Sequence, residues 1–216
     1  MGEGYNRIIC GWTWALSLLS GLMNFLALQY IGRAVTHHTG NLTKLAQTLM
    51  AGENIVSFFV LLLFPVVYFL GAAVAGFLYT NKPGAVQTRY GAALCSIGIG
   101  MVAGAWLLGS RDAFGLLLSF MAGVQNGIYL RYRSVQLRST HMTGYLTDAG
   151  FALSRWIKGE AEARERFVYL TVHLFSFFLG GVAALLMQPA GFLVSSLIAG
   201  AAYMALGLIC FQLQLS

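Results

Sequence analysis

Apolar residues fill this chain in long, nearly unbroken runs. A helix rising 1.5 Å per residue needs about 20 of them to cross roughly 30 Å of hydrocarbon. Six segments qualify: 8–31, 55–80, 88–109, 113–131, 167–187 and 190–213. Polar punctuation separates several of them, at Asn81-Lys82-Pro83-Gly84, Arg111-Asp112 and Gln188-Pro189. Two intervals, 32–54 and 132–166, are too polar to span and too long to be turns. In the first, Leu42, Leu45, Ala46, Leu49 and Met50 follow the spacing of one helical stripe, and Leu146, Ala149, Gly150, Leu153 and Ile157 follow it in the second.

Self-comparison divides the chain into two related parts, about 1–110 and 111–216, within a single membrane domain. Residues 36–43 read THHTGNLT and residues 140–147 read THMTGYLT, identical at six of eight positions. A G-x-x-N element precedes each copy, Gly21 to Asn24 and Gly123 to Asn126. A matching L-G-[AG] element follows each, Leu70-Gly71-Ala72 and Leu179-Gly180-Gly181. Three matches in the same order mark a duplication. Three spans per half is an odd number, so the second half starts from the opposite side. The expected architecture is therefore an all-α integral membrane protein of about six spans in two inverted three-helix repeats, each with a short half-helix after its Thr-Gly.

Composition agrees. Of 216 residues, 58% are apolar and 9% are charged, where a soluble domain carries about 25% charged residues. The net charge of +6 is dispersed over loops, so it sets topology and gives no reason to expect nucleic acid. With six spans, Arg7, Lys82, Arg89, Arg131, Arg133, Arg138, Arg155, Lys158, Arg164 and Arg166 share the side of both termini. Only Arg33, Lys44 and Arg111 lie opposite, which predicts cytoplasmic termini in a plasma (inner) membrane. The first span is expected to be retained, because Gly21 and Asn24 have internal counterparts. Asn6 stands where a myristoylation signal after Met1-Gly2 needs Ser or Thr. Cys10, Cys95 and Cys210 form no C-x-x-C pair, and no metal or cofactor is expected.

The motif carries the candidate chemistry. Thr39 and Thr143 suit helix N-caps, and Gly40 and Gly144 let the backbone turn tightly or approach a ligand. A half-helix entering the membrane presents free N–H groups and the positive end of its dipole at its start. Two such ends would frame a site for a small anionic or carbonyl-bearing solute, with substrate contacts from Asn24, Thr39, Gly40, Asn41, Gln125, Asn126, Thr143 and Gly144. The competing reading is a pair of amphipathic helices lying on the two membrane surfaces. Asn24 and Asn126 can equally serve as hydrogen-bonding glue between spans.

Candidates for ion or proton coupling are Asp148, His141, His37 and His173, the last inside span five near Tyr169 and Ser176. Pro65 predicts a kink in span two. Gly98, Gly100 and Gly104 permit close packing of span three, within the chain or in a homodimer. No catalytic triad, P-loop or dinucleotide fingerprint is present, so an enzyme is not expected.

The Thr-Gly-Asn after span one, and Gly-Val-Gln-Asn of span four followed by Thr-Gly-x-Leu-Thr, resemble the YoaK-like family, domain of unknown function 1275. The resemblance runs from about Leu16 to Cys210 and implies a bacterial six-span membrane protein without naming a substrate. The functional expectation is a secondary transporter or permease with its site between the two Thr-Gly motifs. The alternative is a membrane-embedded interaction or structural protein that transports nothing.

Overall fold

The structure is a computed structural model that describes residues 3–52, 54–79, 88–128, 130–132 and 135–215. The punctuation at 81–84, Arg133 and the Met1-Gly2 start lie outside the described residues. The chain folds into α1 (Glu3–Ile31), α2 (His38–Met50), α3 (Ile55–Tyr79), α4 (Thr88–Leu107), α5 (Arg111–Gly127), α6 (Met142–Ile157), α7 (Ala161–Met187) and α8 (Gly191–Leu215). A small antiparallel hairpin, β1 (Leu130–Tyr132) with β2 (Val135–Leu137), joins α5 to α6. A 3-10 turn at Gln188–Ala190 joins α7 to α8, which opens on Gly191 at φ +83°.

Four helical stretches are long and apolar enough to cross a bilayer, Ile8–Ile31, Ile55–Leu78, Arg89–Leu107 and Ala161–Gln212, the last taking in both α7 and α8. The chain is a multi-pass membrane protein of the all-α class. Large apolar side chains cover its outer surface, among them Phe77, Leu107, Leu186 and Phe69. Such a surface is stable only against lipid. The fourth expected span, 113–131, is instead a 17-residue helix that ends at Gly127, where Ile128 turns to extended backbone and the hairpin begins.

The parts 1–110 and 111–216 interleave rather than standing apart. Here α1 packs along α7, α3 along α5 and α4 along α8. Contacts fix the directions. Thr13 meets Tyr169, Ser17 meets His173 and Gly21 meets Phe177, so α1 and α7 run parallel. Ser119 meets Phe64, Gly123 meets Tyr68 and Gly127 meets Ala72, so α3 and α5 are also parallel. Ser20 bonds Gln125 while Ile31 lies against Gly115, so α1 and α5 are antiparallel. Gly91 faces Gly207 and Gly98 faces Gly200, so α4 and α8 are antiparallel.

Glycine makes these contacts close. A Cβ on Gly21 would run into the Phe177 carbonyl, and one on Gly123 into that of Tyr68. Gly180 and Gly71 stand in the same way against the carbonyls of Leu18 and Phe120. The glycines of the third apolar run are taken up inside the chain, Gly98 by α8 and Gly100 and Gly104 by Met121, Leu117 and Phe114 of α5. Helix α1 is central, with 67% of its apolar window buried against 17% for α3. Pro65 sits within α3, which continues as one helix.

The short helices α2 and α6 account for the two polar intervals. Each ends beside a glycine in the left-handed region, Gly52 at φ +64° and Gly159 at φ +96°, a common way to stop a helix. Gly21→Ala and Gly123→Ala should each push two backbones apart and destabilise by about 1–3 kcal/mol. Gly11→Ala, where a Cβ meets nothing within 4 Å, should leave stability unchanged or raise it by up to about 1 kcal/mol. Unfolding in mixed detergent micelles, followed by helical ellipticity, measures the difference.

Candidate functional site

Each motif helix begins before its Thr-Gly, not after it. The N-cap residues are His37 and His141, and neither donates or accepts a side-chain capping bond. The expected caps, Thr39 and Thr143, lie in the first turn instead. Their carbonyls accept from the hydroxyls of Thr43 and Thr147 at 3.0 and 3.1 Å, so the two copies match in detail. Neither Gly40 nor Gly144 has a positive φ, so the tight turn expected of them is absent. The chain reverses earlier, through Gly32 at φ +76° in the first half and through the hairpin in the second.

The amphipathic stripe also faces the other way from a helix lying on a protein core. On α2, Leu42, Leu49 and Met50 are exposed, whereas Asn41 and Thr48 are buried. On α6, Leu146 and Ile157 are exposed and Tyr145, Ala149 and Ala152 are buried. Lipid as the surrounding solvent accounts for that inversion.

Both helices start in the middle of the bundle. The His38 ring lies 4.5 Å from Tyr68, near the centre of α3. The Tyr145 ring lies 5.1 Å from His173, near the centre of α7. Two buried asparagines hold the starts in place. Asn24 Oδ1 accepts from the backbone N–H groups of Val35 and Thr36, both at 3.2 Å, and from the Thr36 hydroxyl at 2.8 Å. Asn126 makes the corresponding bonds to Thr140, accepting from its N–H at 3.3 Å and donating to its hydroxyl. Asn126 also donates to the Tyr68 hydroxyl at 3.0 Å, tying the second motif to the helix that touches the first. Tyr68 therefore links the two motif starts, packing on His38 and bonding Asn126. The His37 ring is tilted against that of Phe177, 5.4 Å away.

The other predicted residues divide. Thr39, Gly40 and Thr143 are exposed, and a Cβ on Gly40 would meet nothing within 4 Å. Gly144 is half-buried beneath the His141 ring. Asn41 is buried and donates to the Ala34 carbonyl at 3.0 Å, folding the first motif onto itself. At the matching place Tyr145 does the same work with a different group, its hydroxyl accepting from the Arg138 N–H at 2.8 Å. Gln125 is buried among side chains, donating to Ser20 and Ser139 and accepting from Tyr203. Asp148 is paired with Arg166 at 3.3 Å. His173 is 1% exposed, with Nδ1 2.6 Å from the Ser17 hydroxyl.

The sequence reading missed a buried polar stripe on α1. Thr13, Ser17, Ser20 and Asn24 fall at i, i+4, i+7 and i+11, and every one is buried. Each takes a partner: the Tyr169 hydroxyl at 3.0 Å, His173, Gln125 and Thr36 in turn. The signal was legible, since four small polar residues at helical spacing inside an apolar span define one face. At the end of the bundle that carries the start of α1, a cavity of about 870 Å³ opens beside this stripe, lined among others by Cys10, Trp14, Phe151, Arg155, Arg166 and Tyr169.

These features define a class: helical, multi-pass membrane proteins whose paired Thr-Gly motifs each start inside the bundle. A family model, "Protein of unknown function (DUF1275)", matches residues 12–210, and the chain belongs to that family. No curated protein and no solved structure matches the chain.

Removing Asn24 would strand two buried N–H groups. Asn24→Ala should cost about 2–4 kcal/mol and speed amide exchange at residues 35–40 at least tenfold. Gln47→Ala, at an exposed position of α2, should change neither, as hydrogen–deuterium exchange and thermal unfolding will read.

Proposed function

We propose that the protein is a secondary transporter or permease for a small solute, built from six spans in two inverted halves, with its site where the two motif starts meet. One observation carries this reading. Two helix starts without side-chain caps, one from each half, lie at mid-bundle and are linked through Tyr68, which packs on His38 and bonds Asn126. Free N–H groups and the positive ends of two dipoles favour an anionic or carbonyl-bearing solute. Irregular backbone at that depth is stable only where it is buried in protein or lines a polar cavity.

The helix directions support the inverted arrangement. The partners α1 and α5, and likewise α4 and α8, run antiparallel. Strict alternation of six spans also requires α1 and α7 to be parallel to each other, and α3 and α5 to be parallel to each other, which matches their contacts. Helices α2 and α6 then open toward opposite faces, each with a hydroxyl row, Thr39 and Thr43 on one and Thr143 and Thr147 on the other, all four exposed. The charge asymmetry supports cytoplasmic termini in a plasma membrane. Chemistry on the solute has no nucleophile or base assigned to it in this proposal; the protein is a carrier, not an enzyme.

A second reading, a membrane-embedded interaction protein, is favoured by the exposure of Lys44 and Gln47 on α2, which a second copy could cover. The assay that separates the two is uptake into proteoliposomes. Swelling in isosmotic small carboxylates, inorganic phosphate or neutral amides should be accelerated by the protein for at least one class. Gly40→Leu projects a side chain into open space without displacing a neighbour, so it should cut that rate at least tenfold and leave thermal unfolding unchanged. A protein that accelerates none of the classes, or a folded Gly40→Leu variant with undiminished uptake, would contradict transport at this site.

A further inference from the structure

The two halves match closely in backbone contacts but not in side-chain chemistry. The register that takes Gly21 to Gly123 takes Ser17 to Ser119, and the one that takes Gly71 to Gly180 takes Phe64 to His173. Where α3 packs along α5, the Ser119 hydroxyl donates to the Phe64 carbonyl at 2.8 Å, and the Phe64 ring fills the core. At the matching place, Ser17 lies 2.6 Å from His173 Nδ1. An imidazole thus occupies a site where the fold accepts a phenyl ring. Val60 is likewise answered by Tyr169, which bonds Thr13.

His173 is 1% exposed, and its Nε2 has no hydrogen-bond partner. A buried polar atom left unpaired is rare and calls for a use. Its surroundings are polar but hold no charge against it. Ser17 faces it from α1, Tyr145 at 5.1 Å from α6 and Tyr169 at 4.7 Å from its own helix. Tyr203 of α8 lies one rung further along, on Gln125. The Asp148–Arg166 pair stands two turns toward the cavity, and His37 packs on Phe177 one turn the other way. Tyr169 and Trp14 line the cavity at the end where α1 begins. The polar stripe of α1 leads from there past His173 to Asn24 and the motif.

We propose that His173 is a proton-binding site of this protein, loaded from the cavity beside Tyr169 and set between that cavity and the motif junction. The Ser17 hydroxyl can accept from Nδ1–H while its own proton goes to the carbonyl one turn back, as Ser20 donates to Leu16. The lone pair is then on Nε2. Hydronium in the cavity yields one proton to Nε2, giving an imidazolium and water; release reverses the step with no change at Nδ1. This inference deepens the transport reading and rests on it for its meaning, as the proton that drives the solute. Its test stands apart.

The chain has four histidines, so its imidazole nitrogens can be followed by NMR in lipid nanodiscs. One imidazole should titrate between about pH 5 and 7.5, the range in which His changes charge, and disappear from the spectrum of His173→Phe. That variant should fold, because Phe64 already occupies the equivalent place. Ser17→Ala keeps the imidazole and should move its midpoint by at least half a pH unit. A His173 that stays neutral from pH 4 to 9, or a midpoint indifferent to Ser17→Ala, overturns the proposal whether or not the protein transports. Titration at His173 in a protein that moves no solute would leave the proton site standing and remove the transport reading.

Discussion

A backbone N–H in the middle of a bilayer has no water to turn to, and each unpaired group costs several kcal/mol. That constraint governs the two places where this chain leaves a helix inside the bundle and starts another. Asn24 meets it in the first half by accepting three bonds from Val35 and Thr36, and Asn126 meets it in the second through Thr140. The anchors are themselves buried on long helices, so the position of each motif is as rigid as the packing around α1 and α5. The N–H groups of the next turn receive no side-chain cap. The proposed solute site is built from them.

Close packing accompanies this anchoring. Gly21 and Gly123, on the helices that carry the two asparagines, bring the backbones of α1 and α7, and of α5 and α3, into contact. The same register then delivers different side chains to the two interfaces. One interface carries Phe64, and the other carries His173 with Ser17, Tyr169 and Tyr145. In the proposed transporter, a duplicated scaffold with an asymmetric filling would separate tasks: the symmetric motifs would serve a solute approached from either face, and the one-sided imidazole a proton taken from one.

Much of this was legible in the sequence. The long apolar runs set the helices, because 20 consecutive apolar residues have few other uses, and the repeated G-x-x-N and T-H-x-T-G-x-L-T located the anchors and what they hold. The cap position was not legible. Thr39 and Thr143 have good capping chemistry, but Asn24 and Asn126 fix the chain three or four residues upstream, and tertiary bonding overrode local preference. The end of α5 was misplaced because residues 128–131 are apolar enough to continue a span, while the hairpin pairing Leu130 with Leu137 diverts them. Gln125 was read as a ligand contact and is instead saturated by Ser20, Ser139 and Tyr203, partners too distant in sequence to foresee. The stripe Thr13, Ser17, Ser20, Asn24 was present at helical spacing and was hidden only by the apolar residues around it.

The central claim is that both motif helices start at mid-membrane and open toward opposite faces. Single cysteines at Thr39, Thr43, Thr143 and Thr147, in a variant lacking Cys10, Cys95 and Cys210, test it in sealed, oriented vesicles with a membrane-impermeant thiol reagent. The account predicts that positions 39 and 43 label from one side and 143 and 147 from the other. It also predicts that 39 and 143 react more slowly than 43 and 147, because they lie deeper. Labelling of all four from the same side, or equal fast labelling at 39 and 43 as on a surface helix, would contradict it.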